Sequence, residues 1–62
     1  MIGYYKQITQ HLKNAGFYFL RDGKGSHELW SKGSVTVTVP YNCKSKHTGN
    51  AILKQAGIAF KL

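Results

Sequence analysis

The stretch Gly23-Lys24-Gly25-Ser26-His27-Glu28-Leu29-Trp30 holds the residues best suited to chemistry. Two glycines flank a lysine, and a histidine follows two residues later. Histidine is the side chain whose unperturbed pKa lies nearest neutrality, so it can take or give a proton at physiological pH. The glycines let backbone come close to a phosphate, because no side chain stands in the way. This pairing suits cleavage of an RNA phosphodiester without a metal. That reaction needs a base for the 2′-hydroxyl proton, an acid for the leaving 5′-oxygen, and cations or N–H groups for the charge on phosphorus. One histidine in acid–base work contributes about a hundred- to ten-thousand-fold. Lys24, Gly25 and Ser26 lead up to His27. If their turn faces the start of the second helix, Lys44 and Lys46, with the Thr48-Gly49 backbone, complete an anion site.

Alternation along the strand that begins near Ser26 puts His27 on the side of Leu29, and Glu28 on the side of Trp30. A carboxylate on the core side is costly. The expectation is therefore that Leu29 is the buried residue and that His27 escapes the core by standing at the strand's beginning. From the residues alone, two readings of His27 stay open, a catalytic group and a structural or merely exposed one. Trp30 either packs or forms a platform for a base. His47 is a surface histidine or a second titrating group near the same helix end, and Lys24, His47 or water supplies the second proton. His11 reads as a helical histidine that is no ligand, since nothing nearby completes a metal site. Lys13, Lys32 and Lys61 read as solvated cations.

These residues need a scaffold, and the rest of the chain reads as one. Tyr4, Ile8, Leu12 and Ala15 recur at helical spacing between Lys6, Gln10, Lys13 and Asn14, so Tyr4 to Ala15 is predicted to be an amphipathic helix, closed by Gly16 in a left-handed conformation. The aromatic run from Phe17 to Asp22 predicts a strand, Gly23-Lys24-Gly25 a tight connection, Ser26 to Ser31 a second strand, and Lys32-Gly33-Ser34 a second turn. Val35-Thr36-Val37-Thr38-Val39 alternates, valines to one face and threonines to the other, and Pro40 ends it. A polar stretch from Tyr41 to His47 leads to a second helix from about Thr48, its N-cap, to Ala56. Ile52, Leu53 and Ala56 form its buried side and Gly57 its stop. Ile58, Phe60 and Leu62 alternate in a tail that folds back onto the core. The fold class is α+β, in the order α-β-β-β-α, with a three-stranded antiparallel sheet and two helices on its valine face.

At 62 residues the chain reads as one domain over residues 1–62. The lone Cys43 has no partner for a disulfide and no zinc-type spacing, which suits a reducing compartment. The N-terminal residues have no apolar run of signal-peptide or membrane-span length, so a cytoplasmic protein with no membrane partner is expected. Nine Lys plus Arg against two Asp plus Glu give a net charge of +7. That excess points to a polyanionic partner, nucleic acid before membrane, because no strongly amphipathic lysine-faced helix is present.

Leu12-Lys13-Asn14-Ala15-Gly16-Phe17, Gly23 to Trp30, Val35 to Pro40, and Ala51-Ile52-Leu53-Lys54-Gln55-Ala56-Gly57-Ile58 together resemble the HicA-type (YcfA-like) toxins, collinearly and over nearly the whole chain. The family often has Pro-Gly-Thr before its second helix, where this chain has Lys46-His47-Thr48-Gly49. The resemblance implies a fold like a double-stranded-RNA-binding domain and an mRNA interferase without metal or other cofactor. It also implies neutralisation by a HicB-type antitoxin. It assigns the catalytic histidine to His27, with Lys24, Gly25, Ser26, Lys44 and Lys46 as the RNA-binding residues of this reading. Two other classes remain, a non-catalytic module for structured RNA and a small protein whose positive surface serves an acidic partner alone.

Overall fold

The computed structural model describes residues 3–62. The chain forms α1 (Tyr5–Asn14), β1 (Tyr18–Asp22), β2 (His27–Lys32), β3 (Val35–Pro40) and α2 (Lys46–Gln55). The strands make an antiparallel meander in the order β1-β2-β3, so β2 is central. Both helices pack on one side of this sheet, as predicted, and against each other.

The helical stripe of α1 does its expected work. Ile8 and Leu12 are fully buried, with Tyr4 and Ala15 partly buried at its ends. Opposite them lie Val37, Val39 and Trp30 from the sheet, and Ile52 and Leu53 from α2. Each fully buried aliphatic side chain stabilises the fold by about 1.5–3 kcal/mol relative to exposure. Gly16 takes a φ of +97°, and the chain leaves α1 there, with Phe17 N–H bonded to the Leu12 carbonyl at 2.9 Å. Lys32 closes the same helix end from across the sheet by donating to the Ala15 carbonyl at 2.6 Å. Lys13 stands over the Trp30 ring, 5.9 Å from its centroid. These two lysines, expected to be merely solvated, thus have structural contacts.

One local expectation is corrected, and two further features belong to α2 and β1. The N-cap of α2 is Ser45, whose Oγ accepts from Thr48 N–H at 3.3 Å, and the helix starts at Lys46 instead of Thr48. Gly49 is buried inside α2, where a Cβ would stand 2.5 Å from Leu62 Cδ1 and 3.1 Å from Ile8 Cδ1. Glycine there lets α1 and the C-terminal residue approach the helix, and the Gly49 N–H is bonded to the Ser45 carbonyl at 3.0 Å. In β1 the register slips by one residue between Phe19 and Arg21, leaving Leu20 as an extra residue. The tail does fold back: Ile58 and Leu62 pack on the core, and Leu62 N–H donates to Asn50 Oδ1 at 2.7 Å.

Candidate functional site

The decisive correction concerns the parity of β2. Glu28 and Trp30 face the helices, at 5 % and 4 % exposure, while His27 and Leu29 face the open side of the sheet. Glu28 can be buried because one carboxylate oxygen, Oε1, accepts two hydrogen bonds, from Tyr5 Oη at 2.7 Å and from Trp30 Nε1 at 3.0 Å. These bonds offset the loss of hydration that made an inward glutamate look unfavourable. The contact acts on Tyr5 in turn. Burial, then the Glu28 hydrogen bond and charge, hold its phenol well above the ordinary value of 10.0, with Tyr41 and Asp22 adding smaller effects. Trp30 is thereby a packed residue and no base platform.

With Glu28 inside, His27 is exposed as the first residue of β2, and two bonds from the preceding loop hold it. Its Nδ1 lies 3.0 Å from the Lys24 carbonyl, and its own carbonyl accepts from Gly23 N–H at 2.7 Å. The loop can curl back in this way because Gly25 takes a φ of +67°. On the other side, Tyr41 N–H donates to the Ser26 carbonyl at 2.8 Å, and His27 pairs with Pro40. A carbonyl oxygen can only accept, so in the neutral imidazole Nδ1 carries the hydrogen and Nε2 is left as the acceptor.

His27 borders a shallow depression of about 360 Å³ with Arg21, Gly23, Lys24, Leu29 and Thr38. Arg21 was not among the residues singled out from the sequence. Strand alternation alone misplaces it, because the extra residue in β1 puts Arg21 opposite Leu29 and Asp22 opposite Glu28. The chain's two acidic side chains, Asp22 and Glu28, therefore share the helix-facing side of the sheet. The open side carries Arg21 and His27, with Lys24 at its edge.

The other predicted residues are less gathered. Gly25 and Ser26 are exposed in the same loop as Lys24. Lys44 borders a second depression with Pro40, Cys43, Ser45 and Thr48, and Lys46 is the exposed first residue of α2; neither lines the His27 depression. His47 is drawn away altogether, into a groove between α2 and the tail with Lys54, Phe60 and Lys61. It does not line the depression that His27 borders. His11 stacks on Phe60 at a centroid distance of 3.9 Å. Among the described residues no group of three or more His, Cys, Asp or Glu is gathered as metal ligands would be, and no helix is long and apolar enough to cross a membrane.

The family model described as "HicA toxin of bacterial toxin-antitoxin" matches residues 5–58, which take in every element of the fold and the His27 loop. The chain belongs to the HicA toxin family. It is thus the toxin side of a toxin–antitoxin system, and a HicA toxin implies an antitoxin partner. No curated protein and no solved structure matches the chain.

Proposed function

We propose that this HicA toxin is an mRNA endoribonuclease that works without a metal, inhibits translation by cutting mRNA in the cytoplasm, and is neutralised by a HicB-type antitoxin. The observation that carries the reading is the bond between His27 Nδ1 and the Lys24 carbonyl. It leaves Nε2 as a fixed acceptor on an exposed histidine, which is what a general base requires.

In the proposed reaction, the RNA 2′-oxygen attacks phosphorus as its proton passes to His27 Nε2. The O2′–P bond forms and the P–O5′ bond breaks. The leaving 5′-oxygen takes a proton from water, and the imidazolium returns its proton to the hydroxide that remains. The products are a 2′,3′-cyclic phosphate and a 5′-hydroxyl. Lys24 lies beside the reacting phosphate, and the loop backbone at Gly25 and Ser26 lies along the strand. Lys44 and Lys46 are proposed to hold RNA further along its backbone, since they border a separate depression at the start of α2.

The antitoxin reading rests on the same face. An acidic surface laid over the open side of the sheet meets no acidic side chain there. Complex formation is expected to protect His27 from diethyl pyrocarbonate; equal reactivity in the complex would mean that inhibition acts elsewhere.

The test of the reaction is cleavage of a purified single-stranded mRNA in EDTA by the parent chain and by His27→Ala, with the product ends identified. Cleavage by the parent to cyclic-phosphate ends, absent in a variant with unchanged circular dichroism, is the expected result. Equal cutting by both would remove His27 from the chemistry. Binding by both without cutting would make the chain an RNA-binding module.

A further inference from the structure

We infer that Arg21 is a binding site for the scissile phosphodiester, acting with Lys24 beside His27; the inference rests on the endoribonuclease reading and deepens it. Three observations carry it, the first and third being two results of one register slip.

The first is the register of β1. From the Phe19–Trp30 pair, unbroken alternation would set Leu20 opposite Leu29 and Arg21 opposite Glu28, on the side of the helices. The slip at Leu20 moves Arg21 opposite Leu29 instead. A bulge costs one ladder position and kinks an edge strand, and re-aiming a side chain is a recognised result of that distortion. Here the re-aimed side chain is the chain's sole arginine.

The second is the depression itself. Arg21, Lys24 and His27 border the same hollow of about 360 Å³, whose other lining, Gly23, Leu29 and Thr38, carries no charge. A phosphate seated there has a cation on β1, a cation in the loop and the imidazole at the start of β2.

The third is the segregation of charge. Asp22 and Glu28 pair with each other across β1 and β2 on the opposite side of the sheet, and Glu28 is committed to Tyr5 and Trp30. A carboxylate on the open side would compete with phosphate for the guanidinium, and the register puts none there.

Arginine suits this position better than lysine. Its planar guanidinium gives two parallel N–H bonds to two phosphate oxygens, and it stays charged at any working pH. As the 2′-oxygen attacks, negative charge grows on the non-bridging oxygens, and a donor pair aimed at them binds the transition state more tightly than the ground state. The assignment therefore makes Arg21 an electrostatic catalyst, with Lys24 as a less directional second cation.

The experiment compares the parent, Arg21→Ala, Arg21→Lys and Lys44→Ala, all confirmed folded by circular dichroism, in single-turnover cleavage of one RNA. Binding of the same-sequence DNA strand, which lacks the attacking 2′-hydroxyl, is measured alongside. Arg21→Ala is expected to lower the cleavage rate about 100-fold while weakening DNA binding only about threefold, with Arg21→Lys recovering part of the rate. Lys44→Ala is expected to weaken binding of the DNA strand and of RNA alike. An Arg21→Ala rate within about threefold of the parent, or a loss that lies wholly in binding, overturns the assignment. If the parent itself does not cut, the endoribonuclease reading falls, and the anion site is then judged with inorganic phosphate. Phosphate titrated into ¹⁵N-labelled protein is expected to shift the Arg21 side-chain and His27 ring resonances, and to lose the His27 shifts in Arg21→Ala. Shifts confined to residues near Lys44 and Lys46 overturn it.

Discussion

The two sides of the sheet are built from alternate residues of the same three strands, yet they do opposite things. The helix side carries Val37, Val39 and Trp30 in the core, together with Glu28, whose carboxylate is bound by the Tyr5 hydroxyl and the Trp30 indole N–H. The open side carries His27, Arg21, Leu29 and Thr38 around a depression, and no acidic side chain. Sequence neighbours are therefore split between roles. His27 stands on the proposed reactive side and Glu28 on the folding side, one peptide apart.

This contrast can be broken by substitution, and the largest effect is expected at His27. His27→Ala should lower RNA cleavage at least about 100-fold, while its urea midpoint stays within the range of a surface substitution, about 0.5 kcal/mol. On the other side, Leu53→Ala should cost about 3 kcal/mol, measured by urea unfolding, because it opens a cavity where α2 meets the core. Glu28→Ala should cost about 2–3 kcal/mol by the same measurement, since it strips the acceptor from two donors, one of them on a buried tryptophan. Glu28→Gln sharpens the point. Both bonds go to the single oxygen Oε1, which an amide can supply, so this variant should lose only about 1 kcal/mol and keep its cleavage rate.

A smaller effect is expected from pH. The Tyr5 phenol is held above its ordinary value of 10.0 by burial first and then by Glu28, with Tyr41 and Asp22 contributing. In the unfolded chain it ionises near 10, so above that pH the unfolded state binds fewer protons than the folded state. Stability is then lost as pH rises beyond about 10, and below it Tyr5 adds no slope. Tyr5→Phe should flatten this alkaline loss in urea titrations between pH 9 and 11.5; an unchanged slope would place its source outside the Tyr5–Glu28 pair. The smallest effect concerns Lys44 and Lys46. Replacing either by alanine should reduce the salt dependence of single-stranded RNA binding by about 0.7 in the slope of log K against log salt, measured by fluorescence anisotropy.

Much of the scaffold was legible because local signals agreed with the tertiary outcome. The helical spacing of Ile8 and Leu12, the alternation of Val35 to Val39, and the stop at Gly16 all reappear as built. His27 could be singled out because a glycine-flanked loop, a neighbouring lysine and the family resemblance converge on it. Three features were hidden for physical reasons. The inward turn of Glu28 depends on Tyr5, which is 23 residues away in sequence, so no local pattern announces that the carboxylate will be solvated by protein donors. The slip at Leu20 leaves no composition signal in an aromatic and aliphatic run, and with it went the placement of Arg21. The Ser45 cap of α2 has no signal in the sequence pattern, because Lys46 and His47 carry no apolar periodicity and the next hydroxyl residue, Thr48, stands nearer the periodic stretch.

The measurement that tests the division of labour most directly takes the adjacent pair His27→Ala and Glu28→Gln through one RNA cleavage assay in EDTA and one urea titration. The account predicts a stable, inactive protein from the first and a slightly less stable, active protein from the second. An active His27→Ala, or a Glu28→Gln variant that is fully folded and inactive, would contradict it.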